Sequence, residues 1–348
     1  MSLRFPDLHD QRNQHFVLLQ SSIAQSSLPI LRSLLAKRPN QTSSKLVLFC
    51  FLHPPLNLVD EALVKSDNVV IYDFLDSIPD YNDHWKDPRE QMLDVVKNDS
   101  TTLDVVIDSV DTLLSDIGST PETYSFMVSL LSLISSRSKT SRLIVHINSP
   151  CPLTPLLCST SFSPSLTQLT AHPHALITYL AKEYFTFPPP ISAAPKFWGV
   201  FIPVSEREHE TERLVFQGSG SGDTKEMIIE MILRGGSDAS GRRKGVERVL
   251  EGWDLQNGCA VELSRLSSLS DLWKKKIVEE AAPDPMQNIS FNLQLTPSQQ
   301  EARARVPLPY VLEGRSSSQP APSSGAILYD PDSADDIDDD DPDEDLDI

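Results

Sequence analysis

Six short apolar runs in the first two hundred residues constrain this chain more than any other feature. They are residues 15–19 (HFVLL), 45–52 (KLVLFCFL), 68–75 (NVVIYDFL), 103–110 (LDVVIDSV), 142–147 (RLIVHI) and 196–204 (KFWGVFIPV). Most are continuous rather than alternating, the pattern of strands covered on both faces. Helix-period segments lie between several of them. Residues 29–36 (PILRSLLA) put Ile30, Leu31, Leu34 and Leu35 on one face, with Pro29 suited to a first turn. Thr120, Pro121 and Glu122 supply a cap, a first-turn proline and an early acid to TYSFMVSLLSLIS. Strand and helix in alternation predict a three-layer α/β fold with a mainly parallel sheet.

After about residue 205 the pattern changes. Residues 212–217 (ERLVFQ) and 225–234 (KEMIIEMILR) flank GSGSGDT, which reads as a hairpin with a flexible loop; the second run also fits a helix. Residues 245–255 (GVERVLEGWDL) and 259–266 (CAVELSRL) read as another strand pair. Residues 268–280 suit an amphipathic helix with Leu269, Leu272, Trp273 and Ile277 on one face. An antiparallel extension of the α/β core is therefore expected, with that domain covering residues 1–285. Residues 286–313 read as a docking segment. In it Ile289, Phe291, Leu293 and Leu295 alternate as in a strand that adds to a sheet edge. A last strand of the chain's own core would carry the same pattern. Pro307, Leu308, Pro309 and Tyr310 follow in VPLPY, which suits an extended docking peptide. Residues 314–348 read as a disordered Ser/Pro/Gly linker and an acidic tail.

The tail dominates the charge. The 348 residues carry a formal net charge of −19, and 12 of the acids lie in residues 330–348, which hold no base. Without them 37 acids face 30 bases, so the body is only mildly acidic. That argues against broad, sequence-independent nucleic-acid binding by the chain alone, because such affinity comes from neutralised phosphates. It leaves room for a local contact. Arg242, Arg243 and Lys244 in the glycine-rich GGSDASGRRKG are the candidates for touching RNA phosphates, whereas Lys274, Lys275 and Lys276 read as a solvated helix face. The four cysteines are too scattered for a disulfide framework, and Cys50 reads as a small buried hydrophobe. The start, MSLRFPDLHDQRNQ, lacks the apolar core of a signal peptide, and no run approaches the ~18 apolar residues of a membrane span. A soluble intracellular protein is expected.

The run LDVVIDSV raises the question of a nucleotide. Asp108 ends an apolar strand as a Walker-B aspartate does, where it would hold magnesium. A working site also needs GxxxxGK[ST] after the first strand, so that backbone N–H groups and a lysine grip the phosphates. After HFVLL the chain reads QSSIAQSSLPILRSLL, with no glycine and no lysine before Lys37. Gly218 to Lys225 fails the spacing. Asp108 therefore reads as a strand-ending aspartate that caps a turn or helix. His172 and His174 lack a third metal ligand nearby, His146 reads as a satisfied sheet-end histidine, and Ser109, Cys151 and Cys158 stand in no nucleophile motif. No catalytic residue, cofactor or metal is expected.

The block NISFNLQLTPSQQEARARVPLPY, followed after a spacer by ILYDPDSADDIDDDDPDEDLDI, resembles the C-terminal signature of the Elongator complex subunit 5 family, and VVIDSVDTLL fits that family's Walker-B-like strand. The resemblance implies a RecA-like ATPase-type fold without working Walker motifs. It implies a heterohexameric ring with the related subunits 4 and 6. That ring would bind tRNA in cytoplasm and nucleus and support modification of the wobble uridine at carbon 5, the catalysis lying in another subunit. Two other readings stand beside it. One is a divergent ATPase using Asp108 or a composite site between subunits. The other is a protein-interaction module built on the acidic tail. The Ser/Pro-rich residues 149–165 fit none of these patterns.

Overall fold

A computed structural model describes residues 3–6, 14–37, 44–82, 85–99, 101–137, 141–217, 225–235, 245–274, 298 and 301. The chain divides into two units, Met1–Ala282 and Pro283–Ile348. The first contains a nine-stranded sheet. In chain order its strands are β1 (Phe16–Ser21), β2 (Ser44–Cys50), β3 (Val69–Asp73), β4 (Thr102–Ile107), β5 (Arg142–Asn148), β6 (Leu166–Pro173), β7 (Glu226–Arg234), β8 (Glu247–Asp254) and β9 (Cys259–Val261). They lie in the order β3-β2-β4-β5-β1-β6-β7-β8-β9. From β3 to β6 every pairing is parallel, and from β6 to β9 every pairing is antiparallel. The expected α/β class, mainly parallel with an antiparallel extension, is the observed one.

Both faces of the parallel strands are covered, which is why their runs are continuous. Successive residues of one strand enter opposite cores: Phe16 and Leu18 join one cluster, Val17 and Leu19 the other. The first face is covered by α4 (Pro88–Asn98), α5 (Val110–Ile117), α6 (Thr120–Ser135) and α7 (Leu153–Leu157). The second is covered by α1 (Leu28–Ala36) and the short α2 (Pro55–Leu58) and α3 (Glu61–Val64). A third cluster packs α8 (His174–Glu183), α9 (Ala194–Ser205) and α10 (Glu208–Phe216) on the antiparallel extension.

Four sequence expectations are corrected. Residues 196–204 are not a strand but the body of α9, where Phe197, Phe201 and Val204 form a buried face at helical spacing. A continuous apolar run cannot by itself distinguish the two. Residues 212–217 belong to α10, whose first turn carries Glu208 and Glu210. The antiparallel partners of β7 are β6 and β8, not residues 212–217. β6 itself escapes the apolar scan because Thr167, Gln168 and Thr170 interrupt it. The cap of α6 is Ser119, one residue before the expected Thr120, and its hydroxyl accepts from Glu122 N–H.

Residues 149–165, which sequence left unassigned, form the crossover from β5 to β6. Leu153, Leu157 and Phe162 bury in the first core. The Arg234 guanidinium donates to the carbonyls of Cys158, Ser159 and Ser163, holding the crossover to β7. Close packing recurs at Gly252 on β8, where a Cβ would lie 2.8 Å from Leu266 Cγ. Leu266 is buried, so its side chain must shift within a packed interior. Gly252→Ala is expected to cost about 1–3 kcal/mol, read from the urea midpoint, with the Gly252→Ala/Leu266→Ala pair less than additive.

Candidate functional site

The parallel strands bring the ends of β1, β2, β4 and β5 to one edge, at Ser21, Cys50, Ile107 and Asn148. After β1 the chain enters α1 and the second core; after β5 it enters α7 and the first. Helices that leave adjacent strands toward opposite faces open a crevice at the strand ends, the usual ligand position in such sheets.

Asp108 lies at this edge and is fully buried. Its Oδ1 accepts from Phe51 N–H at 2.6 Å, and its Oδ2 from Leu52 and His53 N–H at 3.0 and 2.7 Å. Burial pushes the carboxyl above its ordinary value, while the three N–H donors pull the other way. The turn it holds is the one after β2, not the helix that follows it. Ser109 caps that helix, accepting from Thr112 N–H. Ser109 also donates to Asp111, whose carboxylate in turn accepts from the Asn148 backbone at 3.0 Å.

The loop after β1 uses its own donors. Ser22 N–H and Gln25 N–H close on each other's carbonyls, Leu28 N–H donates to Ser26 Oγ, and Ile30 and Leu31 N–H donate to Ser27 O. Pro29 has no N–H to offer. In a phosphate-binding loop such groups point outward to the ligand.

Ser21 and His146 tie this loop to the sheet. His146 Nδ1 lies 2.6 Å from the Asp108 carbonyl, so Nδ1 carries the proton and donates. Nε2, 2.7 Å from Ser21 Oγ, then accepts the serine proton. Ser27 N–H donates back to Ser21 Oγ at 2.8 Å. The pair has the atoms of a Ser–His dyad, but Ser21 is 2% exposed and His146 1%, with both ring nitrogens committed within the fold. Burial holds the His146 pKa below its ordinary value, so the ring is neutral in the fold at neutral pH. A depressed folded pKa means the unfolded chain binds the extra proton first. Stability is then fully present above about pH 6.5 and falls as pH drops, by at most about 1.4 kcal/mol by pH 5.5. His146→Gln is expected to flatten that slope, measured as urea midpoints at pH 7.5 and 5.5.

Beside this network a cavity of about 420 Å³ extends from Gln20 and Ser149 across Gln168 to β7 and β8. Its charged lining comprises Glu206 and Glu208 at the helices and His172, Glu230 and Arg248 on the strands. His172 Nε2 lies 3.0 Å from Glu230 Oε2, and Arg248 Nε lies 3.3 Å from Glu230 Oε1. Sequence spacing pairs His172 with His174 as a metal candidate; the fold pairs it with Glu230, 58 residues away. Among the described residues no three His, Cys, Asp or Glu side chains gather as a metal site requires.

The remaining candidates separate. Cys50 is buried, and burial pushes its thiol up; burial likewise raises Cys151 and Cys158, which disfavours a nucleophilic thiolate. Lys274 pairs with Asp271 at 3.1 Å, while Lys275 and Lys276 lie outside the described residues. Arg242, Arg243 and Lys244 lie outside them too, as do Ile289, Phe291, Leu293, Leu295, Pro307, Leu308, Pro309 and Tyr310. Among the described residues no helix is long and apolar enough to cross a membrane.

Residues 7–330 match the family model described as Elongator subunit Iki1. The zebrafish (Danio rerio) Elongator complex protein 5 is 42% identical over 77 residues, covering 21% of this chain and 26% of that protein. The Mus musculus protein of the same name is 41% identical over 70 residues, covering 19% and 23%. The Homo sapiens one is 37% identical over 70 residues, covering 19% and 23%. The alignments thus span about a quarter of these relatives' own length. Among solved structures, a KaiC-like protein of Pyrococcus horikoshii OT3 aligns at a TM-score of 0.37 and 10% identity, over 71% of this chain and 88% of that one.

Proposed function

Because the chain belongs to the Elongator subunit Iki1 family, we propose that it is a non-catalytic subunit of that complex. It assembles with the RecA-like paralogous subunits 4 and 6 into a heterohexameric ring. The ring binds tRNA and supports Elongator-dependent modification of the wobble uridine at carbon 5, in cytoplasm and nucleus. The observation that carries the non-catalytic part is the buried Asp108 carboxylate, occupied by three backbone donors. A magnesium at Asp108 would have to displace them, and in the loop after β1 the N–H groups of Ser22, Gln25 and Ser27 are bonded within the fold. Both features favour assembly over phosphate chemistry.

Co-expression with the two RecA-like paralogues, followed by native mass measurement, tests the reading. A mixed ring that retains tRNA is the expected result. A well-folded monomer that ignores both partners would overturn it. Saturable magnesium-ATP binding by the purified chain, abolished by Asp108→Ala, would favour the divergent ATPase instead. If residues 330–348 alone reproduced all binding, the acidic tail would be the functional module.

A further inference from the structure

One face of β8 presents Glu247, Val249, Glu251 and Trp253 at the two-residue spacing of a strand. Val249 and Trp253 belong to the second core, so Glu251 stands where an apolar residue would be expected. It is 3% exposed. An acid at such a position is costly unless donors meet it. Two of its donors come from the start of the chain. Arg4 N–H donates to Glu251 Oε1, and Phe5 N–H donates to Oε2 at 3.3 Å. The Arg4 guanidinium reaches Glu247 through Nε at 3.1 Å and Nη2 at 3.0 Å. Phe5 is 2% exposed and meets Trp253 edge-on, with ring centroids 4.8 Å apart. Each part of the Arg-Phe pair thus has its own receptor: a carboxylate for two successive main-chain N–H groups, a second carboxylate for the guanidinium, and an aromatic wall for the ring.

From this geometry we propose that β8 carries a peptide-recognition site for a bent Arg–Phe segment, and that the chain's own residues 3–6 are its resident, exchangeable occupant. The helix α1 reaches the extension at the β8–β9 turn, where Ser33 and Lys37 donate to the Gly258 carbonyl. Phe5 covers Trp253 of the same apolar face. A strap held by one ring and a few polar contacts is the kind of element that opens locally while the core stays folded. The residues that hold it recognise a sequence, not merely an apolar surface.

The test uses the full chain and a fluorescein-labelled peptide of residues 1–8, MSLRFPDL. Phe5→Ala weakens the resident strap, so that chain is expected to bind the peptide saturably, at least tenfold more tightly than the wild type, whose site is filled. Peptides carrying Arg4→Glu or Phe5→Ala are expected to lose binding. So is the chain with Glu251→Leu added, which replaces the buried acid by an apolar side chain and keeps the strand. Equal affinity for wild-type and Phe5→Ala chains, or no binding to either while both are folded, would overturn the proposal. If Phe5→Ala does not fold, a protease site placed within residues 7–13 of the wild-type chain decides. After cleavage the N-terminal peptide should remain bound in native mass measurement and exchange with excess MSLRFPDL. Its loss from a folded chain would equally overturn the proposal.

Discussion

Asp108→Ala is expected to lower the stability of the chain by about 3–5 kcal/mol. The substitution leaves the N–H groups of Phe51, Leu52 and His53 without their acceptor. Each buried donor left unmade costs about 1–3 kcal/mol. The three are not equal: Leu52 is 43% exposed and its donor can turn to water, whereas Phe51 is 6% exposed. Phe51 also stacks on Phe74 with centroids 4.9 Å apart, so loosening the turn disturbs the first core as well. Asp108→Asn keeps one acceptor oxygen and is expected to lose roughly half as much, because its amide nitrogen faces donors. Urea midpoints of the three chains give the comparison. An aspartate kept for magnesium behaves oppositely, since its removal abolishes ligand binding and leaves the fold as stable as before. A midpoint unchanged by Asp108→Ala would therefore refute the clamp.

The same residue illustrates what a sequence can carry. That Asp108 ends a core strand is local information, written in the apolar run before it, and β4 ends at Ile107 as that run implies. That no glycine or lysine follows HFVLL is equally local. The partners of Asp108 are not: they lie 55 to 57 residues away in the turn after β2, brought close only by the parallel β2–β4 pairing. The Ser21–His146 bond likewise joins residues 125 apart, and it depends on β1 and β5 being neighbours although three strands, β2 to β4, come between them in the chain. Pattern reading finds elements and leaves their juxtaposition open.

Where pattern reading erred, two signals competed. In α9 a run of apolar residues wide enough for a strand conceals the Phe197–Phe201 spacing of a helix. In β6 the reverse holds. Its polar Gln168 and Thr170 line the cavity, so a strand that serves a site looks less like a strand. Glu251 is a third case, an acid on the core face of β8 that no apolar pattern anticipates. The departures in β6 and β8 fall where the fold does something besides pack, whereas α9 is a packing helix.

Glu230 is where that point can be measured with the second large effect. On three adjacent strands, His172 of β6, Glu230 of β7 and Arg248 of β8 meet on one face. Glu230 and His172 are each 7% exposed. Glu230→Ala is expected to cost about 3 kcal/mol, because it strands His172 beneath Phe201, whose ring lies 5.3 Å away edge-on. Arg248 loses less. Its side chain is 29% exposed and lies over Trp198 at 5.7 Å, so the guanidinium can turn to water while its stem stays packed. Replacing both buried partners by apolar side chains, as in His172→Phe with Glu230→Leu, removes the stranded group as well as the bond. That double variant is expected to recover most of the loss, giving a coupling of about 1–3 kcal/mol in a double-mutant cycle read by urea midpoints. Strict additivity of His172→Phe and Glu230→Leu would mean that the 3.0 Å contact contributes nothing. In that event the cavity wall would be held by packing against Phe201 and Trp198 alone.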